Sequence, residues 1–290
     1  MILFWIALAC AGFVGTGLCA ALAARLGLVD RRESAPERKL QPSPVPRVGG
    51  LVLALGLFAV ASWTRIGPVS APLSAGAAFL VGLADDLAPR GLPRALKFAL
   101  EGGVCLLFAW EMPGAPLWSF ALAAGALSAA NTFDNADGAL AALGLLGLGR
   151  AASMGGPLLA GFLPWNLWLR DARGAPAAYL GDAGSHLLAI ALASDPRSAP
   201  FLVLPALDLA RLAWVRWRAG SRPWIGDRRH LAHRLQSRGL GPTSVALALV
   251  VIAAPASFLA PLWAAGAPAL LFVLALAWTP DPCPARGAAG

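Results

Sequence analysis

Residues 71–110 read APLSAGAAFLVGLADDLAPRGLPRALKFALEGGVCLLFAW, an apolar stretch near 71–84 and a second near 96–110, joined by a connection that opens with Asp85 and Asp86 and carries Arg90, Arg94 and Lys97. A bilayer-crossing helix needs about 20 mostly apolar residues, so the segment reads as two such helices with a charged link between them. The pattern recurs on both sides. Apolar stretches lie near 1–24, 48–62, 71–84, 96–110, 116–130, 138–149, 152–168, 183–193, 199–215, 243–260 and 264–278, and no long soluble insertion separates them. With 58% apolar and 13% charged residues over 290 positions, the composition exceeds what a soluble domain of this size carries. The expectation is an all-α, polytopic membrane helix bundle of about 10–11 transmembrane helices, one domain over 1–280 with a short tail at 281–290. The first stretch lacks a basic n-region and is long for a signal h-region, so it reads as a span. Cys10, Cys19, Cys105 and Cys283 show no C-x-x-C spacing, which argues against a disulfide framework or a zinc site.

Lys and Arg concentrate in cytoplasmic loops. With the N-terminus outside, Arg65, Arg150 and Arg197 alone fall on the outer side, and the other twenty of the 23 basic residues fall inside. The net charge of +8 therefore belongs to loops that would attract anionic lipid or a phosphorylated ligand. No basic stretch is attached to a foldable soluble module, so a nucleic-acid partner is not expected.

The same topology puts three acidic motifs on the inner side, each at the end of an apolar stretch: Asp85-Asp86, NTFDNADG (131–138) and YLGDAGS (179–185). Carboxylates at a bilayer edge are costly and pair or bind something. Neighbouring helical side chains point about 100° apart, so Asp85 and Asp86 should play two roles. Asn131, Asp134 and Asp137 lie at i, i+3, i+6, which on a helix is one face suited to metal or ribose, and otherwise an N-cap and turn. Asp182 lies between Gly181 and Gly184, where small neighbours allow close approach; it would serve a hard cation that takes one or two carboxylates plus phosphate oxygens, or else cap a helix. The basic side comes from PERKLQPSPVPRVGG (36–50) and DRRHLAHRL (227–235), where His230 and His233 lie three apart and suit a pyrophosphate or sugar phosphate. Most of these arginines fit simple topology, and His186 reads as structural or interfacial.

At these residues the chain resembles the polyprenyl-phosphate N-acetylhexosamine-1-phosphate transferases, a bacterial family. The ordered motifs are RK followed by P-x-x-GG, then DD, N-x-x-D-x-x-DG, GDAGS and the histidine segment, over about residues 25 to 245. The resemblance implies a cytoplasmic active site in the bacterial plasma membrane, a UDP-sugar donor, a polyprenyl-phosphate acceptor, surrounding membrane lipid, and Mg²⁺, with Mn²⁺ as a substitute; a homodimer is a further expectation. It implies Asp85, Asp86 and Asp182 as catalytic, Asp182 and Asn131 as Mg²⁺ ligands, and Lys97 as a phosphate partner. Lys39, Asp134, Asp137 and Tyr179 would surround the nucleotide, with Tyr179 stacking on uracil, and His230 and His233 would match two positions of the histidine motif. That motif looks more like the N-acetylglucosamine-type branch than the muramoyl-pentapeptide branch. Five positions depart from the family pattern: Gln41 for histidine, Ser128 for asparagine, Asn135 for glycine, Glu101 for glutamine and Ala232 for the middle histidine.

The expected reaction is attack of the lipid phosphate on the sugar-bearing phosphorus of the UDP-sugar with loss of UMP, the first membrane step of a cell-envelope glycan. It depends mainly on positioning and charge neutralisation. A phosphate monoester is largely ionised at neutral pH, so Asp85 or Asp86 would orient more than act as an obligatory base; a two-step route through an aspartyl intermediate stays open. The rival classes are a transporter or flippase, whose charges would sit near the bilayer midplane, and a family member that binds lipid or nucleotide without turnover.

Overall fold

The computed structural model describes residues 2–31, 41–64, 73–222, 228–258 and 266–280. Lys39, Asp227 and the 281–290 tail lie outside them. The chain is mostly helical, as expected. The helices are α1 (Ile2–Arg25), α2 (Gly49–Thr64), α3 (Leu73–Leu87), α4 (Arg94–Glu111), α5 (Pro116–Phe133), α6 (Ala139–Arg150), α7 (Gly155–Leu167), α8 (Gly181–Ala193), α9 (Val203–Arg218), α10 (Leu231–Gln236), α11 (Pro242–Ala253), α12 (Pro255–Phe258) and α13 (Gly266–Trp278). Each apolar stretch read from the sequence holds a helix, the one near 243–260 is divided between α11 and the short α12, and α10 is an addition. Among the described residues α1 alone is both long and apolar enough by length and composition to cross a membrane; α6, α11, α13 and the first part of α2 are shorter apolar helices. The outward faces carry exposed Phe58, Leu80, Leu106, Trp110, Leu117, Trp118, Leu247 and Leu270.

Helix α8 is the axis of the bundle. It packs against α2, α3, α5 and α6, and Ala183 to Ile190 are all buried. Small residues permit this crowding. A Cβ on Gly50 would collide with the backbone of Ala183 and Gly184, and one on Gly82 with the carbonyl of Asp182, so α2 and α3 meet the start of α8 backbone to backbone.

The loops at one end are laced together. A two-stranded antiparallel hairpin pairs β1 (Val29–Asp30) with β2 (Val45–Pro46). The chain leaving β2 runs beside residues 179–180: Tyr179 N donates to Pro46 O (2.8 Å), Gly49 N to Tyr179 O (3.0 Å) and Gly50 N to Leu180 O (2.9 Å). Amides at the start of α2, which have no partner inside their own helix, are thus satisfied by the segment that leads into α8. At the other end of the bundle, Glu111 at the close of α4 accepts from Leu73 N (2.6 Å), Ser74 N (3.1 Å) and Ser74 Oγ (2.6 Å), capping α3.

Candidate active site

Three of the expected acidic motifs meet at the laced end of the bundle. Asp85 and Asp86 close α3, Asp134 and Asp137 flank the turn after α5, and Asp182 opens α8. The adjacent carboxylates on α3 do face different partners. Asp85 accepts from Leu92 N (2.7 Å) in the α3–α4 connection and from Lys97 Nζ (3.1 Å) on α4. Asp86 turns to α8, accepting from the amides of Asp182 (3.1 Å) and Ala183 (2.9 Å), and also binds Arg47 Nη1 (3.2 Å).

This arrangement separates two readings of Asp182. The first amides of α8 are capped by Asp86, a residue of another helix, and no side chain at the N-cap position of α8 makes a cap bond. The Asp182 carboxylate instead receives the Lys97 ammonium, which bridges it to Asp85. Gly181 fits the geometry twice over: its φ is +77°, and a Cβ there would lie 2.6 Å from Asp86 Oδ2.

The turn after α5 is held from below. Buried Asn166 of α7 accepts from the Gly138 amide, whose φ is +74°, and donates to Ala178 O (2.9 Å), tying the 134–138 turn to the strand-like segment before Tyr179. Arg170 then bonds Asp137 Oδ2 (2.8 Å) and Gly174 O (3.1 Å). Asn131 lies on the last turn of α5, three residues before Asp134. Asn135 donates to Thr132 O (2.8 Å), while its buried Oδ1 has no partner among the described residues.

Charge is unevenly shared here. Burial, and then the carboxylates of Asp182, Asp86 and Asp137, push Asp134 well above the usual carboxylate range. Burial also raises Asp137, against the pull of Arg170. Burial and the nearby Asp137 keep the Tyr179 phenol protonated. Burial works against the charge on Arg47, but Asp30, Asp86 and Asp182 hold it on the guanidinium. Arg47 bridges Asp30 and Asp86, and Gln41, one of the departures, donates to Asp30 Oδ2 (2.9 Å).

The histidine segment borders the same end. Leu231, Ala232 and Leu235 pack in one apolar cluster with Phe133, Ala136 and Ala139, which flank the Asp134 and Asp137 turn. His230 and His233 stand edge to face with ring centroids 6.1 Å apart, and His233 Nδ1 meets Gln236 Oε1 (2.9 Å). His186 is fully buried and pairs through Nε2 with Glu101 Oε1 (2.9 Å). Lys39 cannot be related to the site, since it lies outside the described residues. No group of three or more His, Cys, Asp or Glu residues arranged to hold a metal occurs among the described residues.

Arg47, Arg170, Asn166 and Asp208 were not singled out from the sequence. Arg47 and Arg170 fit the positive-inside pattern, although Arg47 stands two residues before the glycine pair that opens α2. Asp208 lies inside an apolar run, and an ionisable residue in such a place is itself a signal.

No family model matches the chain. It is similar to curated proteins named decaprenyl-phosphate N-acetylglucosaminephosphotransferase. The one from Mycobacterium tuberculosis is 26% identical, over 78% of this chain and 73% of the relative. The one from Mycolicibacterium smegmatis is 26% identical over 78% and 73%, and that from Mycobacterium leprae 27% identical over 78% and 74%.

Proposed function

We propose, from the chain's similarity to the curated decaprenyl-phosphate N-acetylglucosaminephosphotransferases, that it is a polyprenyl-phosphate N-acetylhexosamine-1-phosphate transferase, which moves N-acetylglucosamine 1-phosphate from a UDP-sugar onto a polyprenyl phosphate and releases UMP. The observation that carries this reading is the convergence of Asp85, Asp86, Lys97, Asp134 and Asp182, from α3, α4, the end of α5 and α8, at one end of the bundle. The bundle would span the bacterial plasma membrane several times, its exposed Leu, Phe and Trp side chains against lipid, with the site at the cytoplasmic face, a placement that the basic-residue distribution supports.

Asp182 together with Asn131 would hold Mg²⁺, for which Mn²⁺ can substitute. The residues fit such an ion: the donors are hard oxygens, Asp182 already faces a cation in Lys97, and the surplus of carboxylates is met at Asp134 by a raised proton affinity. A site with few protein ligands suits Mg²⁺, which takes one or two carboxylates and completes its shell with phosphate oxygens and water. Bound there, the cation would neutralise the pyrophosphate charge.

The chain's own residues do the rest. Lys97, held between Asp85 and Asp182, is placed to meet a phosphate oxygen, and its two carboxylates fix its position. Asp85, bound by the Leu92 amide and Lys97, orients the lipid phosphate for attack on the sugar-bearing phosphorus. Asp86 holds the start of α8, and with it the aim of Asp182. Tyr179 would stack on the base beside Asp137 and Arg170, with Asp134 and Lys39 near the nucleotide, and His230 and His233 would meet a phosphate. Purified protein given UDP-N-acetylglucosamine, polyprenyl phosphate and Mg²⁺ should release UMP in proportion to lipid product. No UMP under those conditions overturns the proposal.

A further inference from the structure

Asp208 lies in the middle of α9, within an apolar run, and is 1% exposed. A carboxylate in such surroundings has to be paired and fully hydrogen-bonded. Here every partner leads to the histidine segment. Oδ2 meets His230 Nδ1 (3.2 Å), Oδ1 accepts from Arg211 Nη2 (3.1 Å), and both oxygens face the Leu231 amide at 3.3 and 3.4 Å. Arg211 reaches on to the carbonyl of Arg229. Residues 229–231 are thus pinned to α9 at successive positions, immediately before α10.

The chemistry of the pair fixes the ring. An ionised carboxylate only accepts, so His230 Nδ1 carries its proton toward Asp208, and the free edge of the ring is Nε2. His230 itself is 4% exposed, and its Nε2 has no hydrogen-bond partner among the described residues. The next residues, Leu231 and Ala232, belong to the same apolar cluster as Phe133, Ala136 and Ala139, which border the turn that carries Asp134 and Asp137.

We infer that Asp208 is a positioning residue, which fixes the orientation of His230 and holds its Nδ1–H, so that the ring in its imidazolium form donates Nε2–H to a phosphate oxygen of the donor or the acceptor. This rests on the transferase reading above for the identity of the phosphate. The Asp208–His230 geometry itself does not depend on that reading.

The first test needs no turnover. The chain has three histidines, so ¹⁵N-histidine-labelled full-length protein gives a small spectrum, in which His230 is assigned by its loss in His230→Gln. The expected result is a protonated Nδ1 on His230 in the native chain, lost in Asp208→Asn, where the amide can donate to Nδ1, and regained in Asp208→Glu. An unprotonated Nδ1 in the native chain, or an unchanged signal in Asp208→Asn, overturns the inference; should Asp208→Asn fail to fold, the native spectrum still decides.

The second test is kinetic. Asp208→Asn should lower kcat/KM about 10- to 100-fold, as when carboxylates that orient metal-bound histidines are removed, and should cost nothing further in a His230→Gln background. A raised KM for UDP-N-acetylglucosamine identifies the donor phosphate as the partner of Nε2, and a raised KM for polyprenyl phosphate the acceptor. Independent, multiplying losses in the two variants, or wild-type kinetics in Asp208→Asn, overturn the inference. Absence of UMP release from the native protein, with the Nδ1–H signal intact, removes the transferase reading and leaves the positioning of His230 standing.

Discussion

Lys97 and Asp182 form an ion pair across 85 residues of sequence, and one turn further along each helix Glu101 and His186 meet in a hydrogen bond of 2.9 Å. The long side chains of α4 thus reach the axial helix α8 at two levels, the upper within the candidate site and the lower buried behind it. Because Lys97 also binds Asp85, it compensates two carboxylates from two helices, and its loss leaves both without their cation.

Lys97→Met should therefore lower turnover on the order of 100-fold, the scale of losing one charge-stabilising donor. The steady-state rate of UMP release is the measurement. A variant within a few-fold of the native rate would remove Lys97 from the chemistry and leave it a structural tie.

Asp182→Asn separates a metal ligand from a helix cap more cleanly now that Asp86 is seen to cap α8. The substitution keeps the size of the side chain and leaves the cap untouched, so thermal stability should change little. Turnover should fall by orders of magnitude at all Mg²⁺ concentrations. Near-native turnover at ordinary Mg²⁺ would show the ion to be held elsewhere.

Asp86→Ala strips two amides at the start of α8 of their acceptor and leaves Arg47 with one carboxylate fewer. Loss of an N-cap costs about 0.5–2 kcal/mol, so a clear drop in unfolding temperature is expected, with Asp86→Asn, which keeps one acceptor oxygen of the two in use, falling between Asp86→Ala and the native chain. Equal stabilities for Asp86→Ala and the native chain would contradict the capping role.

Glu111 provides a comparison remote from the site. Glu111→Ala removes the acceptor for Leu73 N, Ser74 N and Ser74 Oγ, and about 1 kcal/mol of stability should be lost. The kcat of the folded protein should be unchanged. A fall in kcat with no change in unfolding temperature would be the opposite of the expected pattern.

Asp134 has the opposite sign from a paired carboxylate. Its proton affinity is raised in the folded chain by burial and by Asp182, Asp86 and Asp137. Between the ordinary carboxylate value and the raised one, the folded state keeps a proton that the unfolded chain has lost, so stability falls as pH rises through that window. At neutral pH the charged site is therefore a cost, which the proposed divalent cation would relieve. Asp134→Asn should raise the unfolding temperature at neutral pH without divalent cations, and should gain less from added Mg²⁺ than the native chain does. A lower unfolding temperature in the variant, in a scan free of divalent cations, would refute this.

Much of the architecture was readable from residues alone. Apolar length located the helices, and the turn residues around Asp85, Asp137 and Gly181 located their ends, because both signals are local. The same reading separated Asp85 from Asp86 by the angle between successive helical side chains, and the structure gives each its own partners. It overlooked Arg47, whose charge resembles that of every other arginine on the basic side, and Asp208, whose partner lies 22 residues away beyond a loop.

The sequence by itself determined that the chain is a set of apolar helices with acidic motifs at their ends, since hydrophobic length and charge placement need no knowledge of neighbours. Only the tertiary structure decided which carboxylate serves which purpose: Asp86 the helix start, Asp85 and Asp182 the lysine, and Asp208 the histidine. Those assignments depend on how closely helices distant in sequence approach. That approach is set by Gly50, Gly82 and Gly184 at the crossing of α2, α3 and α8, where the absence of side chains brings backbones, and with them the reactive groups, into contact.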